Sequence, residues 1–300
     1  MAEPLVAIVI LNTNRRDDTI ACLESLAQST YPNLHILLLD NASTDGSVEA
    51  VSTRFPAVEI VTLTDNRGYA GNNNVGIELA MERGADWVLV LNEDTIVDPD
   101  CIGRLVAEGE RNPAIGMIGP LVYHHDEPTI IQSAGVTLGR FMRSSHIGQN
   151  EPDHGQFASP QMVDCISGCA ICVRRDVIEA VGALDERYFY YWEETEWCLR
   201  ARRSGWLNVV EPAAKLWHKG VQRDYRPVPS VAYYNTRNRL LTLSKHSAPV
   251  DVWIVVYGEI LRTLVSMSVR PKWREKREHR DALFAGLRDF HLHRWGKAQF

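Results

Sequence analysis

The chain predicts an α/β fold: a doubly wound, mostly parallel sheet with a helical extension at its C-terminal end. Three observations predict it. Short apolar runs rich in Val, Ile and Leu recur at residues 5–11, 34–39, 58–63 and 87–91; they are too short for typical helices and suit strands buried on both faces. Each leads into a loop of Asn, Asp, Ser or Gly and, after it, a helical stretch, the alternation that builds parallel sheets. Beyond residue 226 that alternation stops and long helical segments follow.

The first run breaks at Asn12-Thr-Asn-Arg-Arg-Asp-Asp18. Asp18 or Thr19 can cap the next helix, whose Ile20, Leu23 and Leu26 share a face and which ends before Pro32. The second run leads into Asp40-Asn-Ala-Ser-Thr-Asp-Gly46 and a short helix. The third leads into Asp65-Asn-Arg-Gly-Tyr-Ala-Gly-Asn-Asn-Asn-Val-Gly76 and a helix to about Arg83. The fourth ends in Asn92-Glu93-Asp94, an abrupt group of oxygen ligands. Ligands bind beyond the carboxyl ends of strands in such sheets, and carboxylates there suit a hard cation, Mg²⁺ or Mn²⁺, that binds phosphate oxygens. The plainer reading makes Asp94 part of a turn before a helix at Asp98-Pro99. Four polar loops in succession favour a crevice over turns that merely need such residues. The first strand is not followed by Gly-x-Gly-x-x-Gly, and no Gly-Lys-Ser/Thr loop occurs, which argues against a dinucleotide cofactor and a P-loop ATPase.

In the second half, residues 165–173 look like an apolar strand, and Asp176 can cap a short helix ending at Gly182. Phe189-Tyr-Tyr-Trp192 then leads into Glu193, Glu194 and Glu196, with Leu199, Arg202 and Arg203 at helical spacing. Three carboxylates at a helix start suit its dipole, yet that leaves the aromatic quartet unexplained. His218 follows a short strand at residues 207–210 and Pro212. Cys165, Cys169 and Cys172 lie in an apolar stretch with no fourth ligand close by, which fits small buried hydrophobes better than zinc. Residues 123–160 form a long polar insertion, expected as a lid or acceptor loop, with His124-His125-Asp126 exposed in it. Residues 250–269 are apolar but carry Asp251, Glu259 and Arg262, against a membrane-spanning helix. Trp253, Val256, Ile260, Leu264 and Met267 share a face that either packs on the rest of the chain or lies in a membrane surface.

The formal charge of −6 is uneven. Residues 262–297 hold ten Lys and Arg against four Asp and Glu, a net of +6 that leaves −12 for the remainder. An acidic body argues against nucleic acid as a partner, and a basic tail beside an apolar segment points to peripheral contact with an anionic membrane. Six cysteines without framework spacing, and an N-terminus without a basic start, predict reduced thiols and a cytoplasmic protein.

Taken together and in order, several blocks carry a family likeness. They are Val9-Ile-Leu-Asn-Thr-Asn-Arg15, Leu39-Asp-Asn-Ala-Ser-Thr-Asp-Gly-Ser47, Asn66 to Gly76 and Leu91-Asn-Glu-Asp-Thr95. Further on come Gly168-Cys-Ala-Ile-Cys-Val-Arg-Arg175, Gly182-Ala-Leu-Asp-Glu186 and Tyr190-Tyr-Trp-Glu-Glu-Thr-Glu-Trp-Cys-Leu-Arg200, and later Tyr233-Tyr-Asn-Thr-Arg-Asn-Arg239. The chain resembles a family-2 glycosyltransferase with the Rossmann-like GT-A fold, closest to the rhamnosyltransferase-like bacterial branch. That resemblance implies a catalytic domain at 1–225, its nucleotide-binding half at 1–120 and its acceptor half at 121–225, before a helical region at 226–300. It also implies a nucleotide-sugar donor, favouring dTDP-rhamnose, a saccharide or lipid-linked acceptor, a divalent metal and inversion at the anomeric carbon.

Position by position, the resemblance makes Asp40 the reader of the base and places Asn14, Arg67 and Asn74 in loops lining the donor. Asn92 falls near the ribose and Asp94 on the metal. Glu93, also in the donor-binding motif, stands where many relatives have proline, and strand alternation points its side chain away from the crevice. Glu194 becomes the base and Glu193 the runner-up; the family's acid pair usually ends in Asp, and a glutamate abstracts the same proton one methylene further out. Aromatics beside it give an acceptor sugar a stacking surface, and partial burial raises a carboxyl towards the range of a base. His218 falls near the metal or diphosphate, and Lys219 adds charge near the leaving group. Two other classes compete: a metal-dependent sugar nucleotidyltransferase, which usually carries a Gly-rich loop that residues 12–18 lack, and a catalytically silent sugar-nucleotide-binding protein.

Overall fold

The computed structural model describes residues 3–220 and 227–299. The expected domain boundary at 225/226 therefore falls outside the described residues. The first half runs β1 (Val6–Asn12), α1 (Arg16–Leu26), β2 (Leu34–Asp40), α2 (Ser47–Arg54), β3 (Glu59–Thr62), α3 (Gly68–Glu82), β4 (Trp87–Asn92), β5 (Thr95–Val97) and α4 (Cys101–Arg111). The second half runs β6 (Ile115–His124), β7 (Ile131–Ser133), β8 (Val136–Leu138), β9 (Ser144–His146), β10 (Gln161–Met162), β11 (Ala170–Arg174), α5 (Arg175–Val181), α6 (Glu193–Arg203) and β12 (Leu207–His218). Three helices follow: α7 (Pro229–Lys245), α8 (Val250–Val269) and α9 (Arg277–His291).

The main sheet has the order β10-β12-β6-β11-β4-β1-β2-β3. β3, β2, β1 and β4 are mutually parallel, β11 is antiparallel to both neighbours, and β12 is parallel to β6. Strands from both halves thus share one sheet, mixed where β11 enters. Alternating residues divide its core. Ile8, Ile10, Leu38, Leu89 and Leu91 meet α1 and α4 through Leu23, Leu26, Ile102 and Leu105 on one face. Ala7, Val9, Leu37, Leu39, Val88 and Val90 meet α3 and α6 through Ile77, Ala80 and Trp197 on the other. Burial on both sides is why these strands lack a polar alternation.

Three departures from the sequence reading matter for the site. The strand expected at 165–173 is β11 alone, because Ser167 to Ala170 makes a turn. Pro212 does not end β12: it lies at a register shift between Glu211 and Lys215, and the strand continues to His218, as prolines in sheets do at bulges. The insertion at 123–160 is not an open polar lid, since Phe141 and Met142 at its β8–β9 turn pack with Leu240, Val252 and Val256 of α7 and α8. The face of α8 carrying Val256 and Ile260 is buried there, with Trp253 and Leu264 packed against it. All six cysteines are free and buried, and burial pushes the thiols of Cys169 and Cys172 up to about 12.

Candidate active site

The crevice lies where the chain reverses sheet direction, between the carboxyl ends of β1 and β4. Asn12 and Asp40 are opposite in register. Asn12 Nδ2 donates to Asp40 Oδ1 at 3.1 Å and to Ser43 Oγ at 3.0 Å, while Asp40 Oδ2 accepts the Ser43 N–H at 3.1 Å. Asn12 Oδ1 accepts from the Arg15 N–H at 3.2 Å and from Thr19 Oγ1 at 3.0 Å. α1 starts at Arg16, whose N–H is accepted by Asp45 Oδ2 at 2.8 Å, ahead of the expected Asp18 or Thr19. Asn14, at φ 53°, accepts the Thr44 N–H at 2.7 Å, so Asn14 and Asp40 belong to two interlocked loops. Arg67, at the foot of α3, forms an ion pair with Glu186. Asn74 donates to the Leu184 carbonyl at 2.8 Å and accepts its N–H at 3.0 Å. Its amide pins α3 to the loop at Leu184.

One wall comes from β4, β5 and β12. Thr95 pairs with His218, which sets His218 Nε2 3.2 Å from Asp94 Oδ1. His218 Nδ1 lies 2.7 Å from Gln132 Oε1, and an amide oxygen accepting there assigns the proton to Nδ1. Asn92 Nδ2, a donor, stands 3.4 Å from Nε2. The Nε2 lone pair then faces Asp94 Oδ1, a buried oxygen without a hydrogen-bond partner. Two lone-pair atoms so placed could share a cation, since neighbouring ligands of one Mg²⁺ ion lie about 3 Å apart at bond lengths of ~2.1 Å. A Cβ on Gly220 would fall 2.7 Å from His218 Nε2 and 2.8 Å from Asp94 Oδ2, so this glycine keeps the space clear. Among the described residues no three His, Cys, Asp or Glu side chains are grouped to hold a metal. Two protein donors leave positions for water and phosphate oxygens, as Mg²⁺ sites do.

Glu93 is pushed up to about 7 by burial and by the adjacent Asp94. Strand alternation ends at Asn92, where Thr95 Oγ1 donates to the Asn92 carbonyl at 2.8 Å. Glu93 therefore lies past the end of β4, and Arg15 opposes the effect of Asp94 on its carboxyl. Lys219 Nζ binds Asp18 at 2.9 Å, and its N–H donates to the Asp94 carbonyl at 3.0 Å. His124 is also corrected: it is buried at the end of β6, with Nε2 3.1 Å from Asn150 and Nδ1 3.5 Å from Gln132. It backs the glutamine that orients His218.

The opposite wall is the start of α6. The loop before it holds Phe189, Tyr191 and Trp192 at φ 64°, 65° and 76°, strained for bulky side chains. α7 holds it there. Asn238 Nδ2 reaches the carbonyls of Tyr188, Tyr190 and Tyr191 at 2.9, 2.9 and 2.7 Å. Arg237 donates to the carbonyls of Arg187 and Tyr188 at 3.0 and 2.8 Å. Glu196 is buried against Arg200, Lys245 and His246 and is structural. Glu193 is buried with Oε2 unpartnered, and Glu194 is half-buried over Gly168, where a Cβ would lie 3.2 Å from its Cγ. Burial drives both carboxyls up; the Glu194 charge raises Glu193 further, to well above the usual range.

Tyr69 joins the two walls. Its hydroxyl lies 3.2 Å from Asn92 Oδ1 and 3.1 Å from the Gly168 carbonyl. Burial and then the charges of Glu193 and Glu194 lift its phenol well above the ordinary value. Sequence reasoning missed Tyr69, Gln132 and Asn238. Tyr69 and Asn238 stood inside blocks quoted for the family likeness, whereas Gln132 lies in the insertion and carries no local signal.

A family model described as glycosyl transferase family 2 matches residues 7–182. The N-acetylglucosaminyl-diphospho-decaprenol L-rhamnosyltransferase of Mycobacterium tuberculosis is 30% identical, over 85% of this chain and 91% of that one. The dTDP-rhamnosyl transferase RfbF of Shigella flexneri is 26% identical, over 85% and 87%. Among solved structures, GalNAc-T7 with UDP, GalNAc and Mn²⁺ superposes at a TM-score of 0.62 with 14% identity over 80% of this chain, which spans about half of that longer one, 48%. The mannosyltransferase PcManGT from Pyrobaculum calidifontis, with GDP-Man and Mn²⁺, superposes at 0.59 with 14% identity over 98% and 88%. The chain belongs to glycosyl transferase family 2: it is a glycosyltransferase of the GT-A fold with rhamnosyltransferase relatives.

Proposed function

We propose that this enzyme moves a sugar from a nucleotide diphosphate donor to a saccharide or lipid-linked acceptor with inversion, in a single displacement. The names of two relatives favour dTDP-rhamnose as donor and a lipid diphosphate saccharide as acceptor. What supports the reading is the Tyr69 hydroxyl, which lies 3.2 Å from Asn92, beside the Asp94–His218 pair, and 3.1 Å from the carbonyl of Gly168, the residue over which Glu194 sits. In it, Asp40 and Asn14 grip the base end, with Asn92 and Arg67 further along the donor. Asp94 and His218 would hold Mg²⁺ or Mn²⁺, which when bound supplies positive charge to the donor diphosphate. Arg15 and Lys219 add fixed charge at the same mouth.

Glu194 is the half-exposed member of its pair and takes the proton of the acceptor hydroxyl as that oxygen attacks the anomeric carbon. Burial makes it a stronger base than a surface glutamate. Glu193 keeps its proton, so a second negative charge does not develop beside the base. The exposed ring of Tyr190 offers the acceptor a stacking face. The reacting sugar passes through oxocarbenium character, as in glycoside hydrolysis. The six buried thiols accord with a reducing cytoplasm. A panel of sugar nucleotides tested by thermal shift with Mn²⁺ checks the reading. One donor should stabilise the protein by about 2.7 kcal/mol at ~100 Kd; no shift with any member would sink it.

A further inference from the structure

The three C-terminal helices carry a surface that the transfer chemistry does not use. α8 buries one face, and its Asp251 and Glu259 form ion pairs with Arg140 and with Arg143 and Arg239 of the body. Its outer face is bare. Val250, Ile254, Leu261, Val265 and Val269 are 50–74% exposed and, at steps of four, seven and four residues, form one stripe along the helix. Single exposed aliphatics are ordinary, but an aligned row of five is not.

At the C-terminal end of that stripe a groove opens between α8 and α9, lined by Arg262, Met267, Arg270, Trp273, Lys276 and His279 among others. Arg262, Arg270, Lys272, Arg274, Lys276 and Arg277 have no carboxylate partner among the described residues, while Glu275 and Glu278 are the acids in the same stretch. Lys272 and Lys276 sit over the Trp273 ring at 4.9 and 5.6 Å from its centroid. An aliphatic row ending in a tryptophan and unpaired cations is the pattern of a helix lying in the headgroup layer of a bilayer. Charge selects the occupant: this end is basic and the rest of the chain is acidic, so an anionic surface attracts the one and repels the other.

We propose that α8 and the segment after it form a docking surface for an anionic lipid bilayer, with the α8–α9 groove seating a phospholipid headgroup. The surface lies one helix from the acceptor wall. Ala232 lines the groove, and the next residues on α7, Tyr233 and Tyr234, pack among Phe189 and Tyr191 of the loop before Glu193. Docked this way, the enzyme keeps the loop before α6 one helix away from the groove. The proposal shares with the functional reading only its lipid-linked acceptor, and lipid binding is measured without turnover, so either can fail alone.

The test is flotation of the full chain with vesicles of phosphatidylglycerol and phosphatidylcholine, against phosphatidylcholine alone. The protein should float with the anionic vesicles, and salt should release it. Replacing Arg270, Lys272 and Lys276 together by Gln should weaken partitioning by about 10²-fold, at roughly five-fold per cation. Ile254→Ser, Leu261→Ser and Val265→Ser together, all at exposed positions, should abolish flotation while the melting temperature holds. Failure of the wild-type chain to float with anionic vesicles, or undiminished flotation of the aliphatic variant, overturns the proposal. So does a lipid-free dimer in sedimentation that this variant converts to monomer, because the stripe would then be covered by a second copy.

Discussion

The two walls of the crevice, proposed above to serve donor and acceptor, are built by different means. The donor wall consists of strand ends: Asn12, Asp40, Asn92 and Asp94 stand at or just past the last residues of β1, β2 and β4, fixed by the register of adjoining parallel strands. The acceptor wall is a loop with three bulky residues at positive φ, shaped from outside by Arg237 and Asn238 of α7. The first is positioned by the sheet itself, and the second by a helix some fifty residues later in the chain. Changes to the donor wall should therefore act on ligands and spare the fold, whereas changes behind the acceptor wall should act on both.

The largest expected effect sits on the acceptor wall. Glu194→Gln should lower turnover by about 10²–10⁴-fold while calorimetry finds donor affinity unchanged; normal turnover would remove Glu194 from its role. Next, Asp94→Asn should weaken Mn²⁺ affinity by at least about 10²-fold and leave urea unfolding nearly unaltered. Asn238→Ala should do the reverse. The two N–H bonds of Asn238 are lost, at about 1 kcal/mol each, while the Tyr188 carbonyl keeps its Arg237 donor, so stability should fall by ~2 kcal/mol and the acceptor KM should rise while the donor Kd holds. Equal effects of the two variants on donor affinity would break the contrast.

The smallest effect is a pH slope. The carboxyl of Glu193 is raised on folding, so it contributes stability while protonated. That contribution is fully present below the ordinary glutamate value of about 4.3 and is lost as pH climbs through the raised one. Glu193→Gln, fixed neutral, should decline less steeply than wild type between about pH 5 and about pH 9, keeping only the share that the raised carboxyls of Glu93 and Glu194 contribute. A parallel decline in wild type and variant would place the titration elsewhere.

The unequal construction also explains what the sequence disclosed. Buried strands announce themselves by composition, so β1, β2 and β4 and the polar residues ending them could be read directly, Asp94 included. Glu193 and Glu194 were legible as acids after an aromatic run, though nothing local said that α7 holds that run. His218 was legible as a candidate, but its adjacency to Asp94 depends on β12 passing through Pro212, which local rules treat as a stop. Asn74 was legible as part of an Asn-rich loop, while its partner, the Leu184 backbone, is distant in sequence. Long-range backbone partners leave no local trace, and Gln132 and Asn238 were missed for the same reason.

Arg237 also donates to the Gly296 carbonyl at 2.7 Å, and the Tyr234 hydroxyl accepts the Ala298 N–H at 2.9 Å. Residues 296 and 298 are thereby stitched to the helix that shapes the loop before α6. An affinity tag, surface tether or fluorophore attached there would pull on the acceptor wall from behind. The same position would suit a reporter, whose signal should respond when an acceptor settles against the loop.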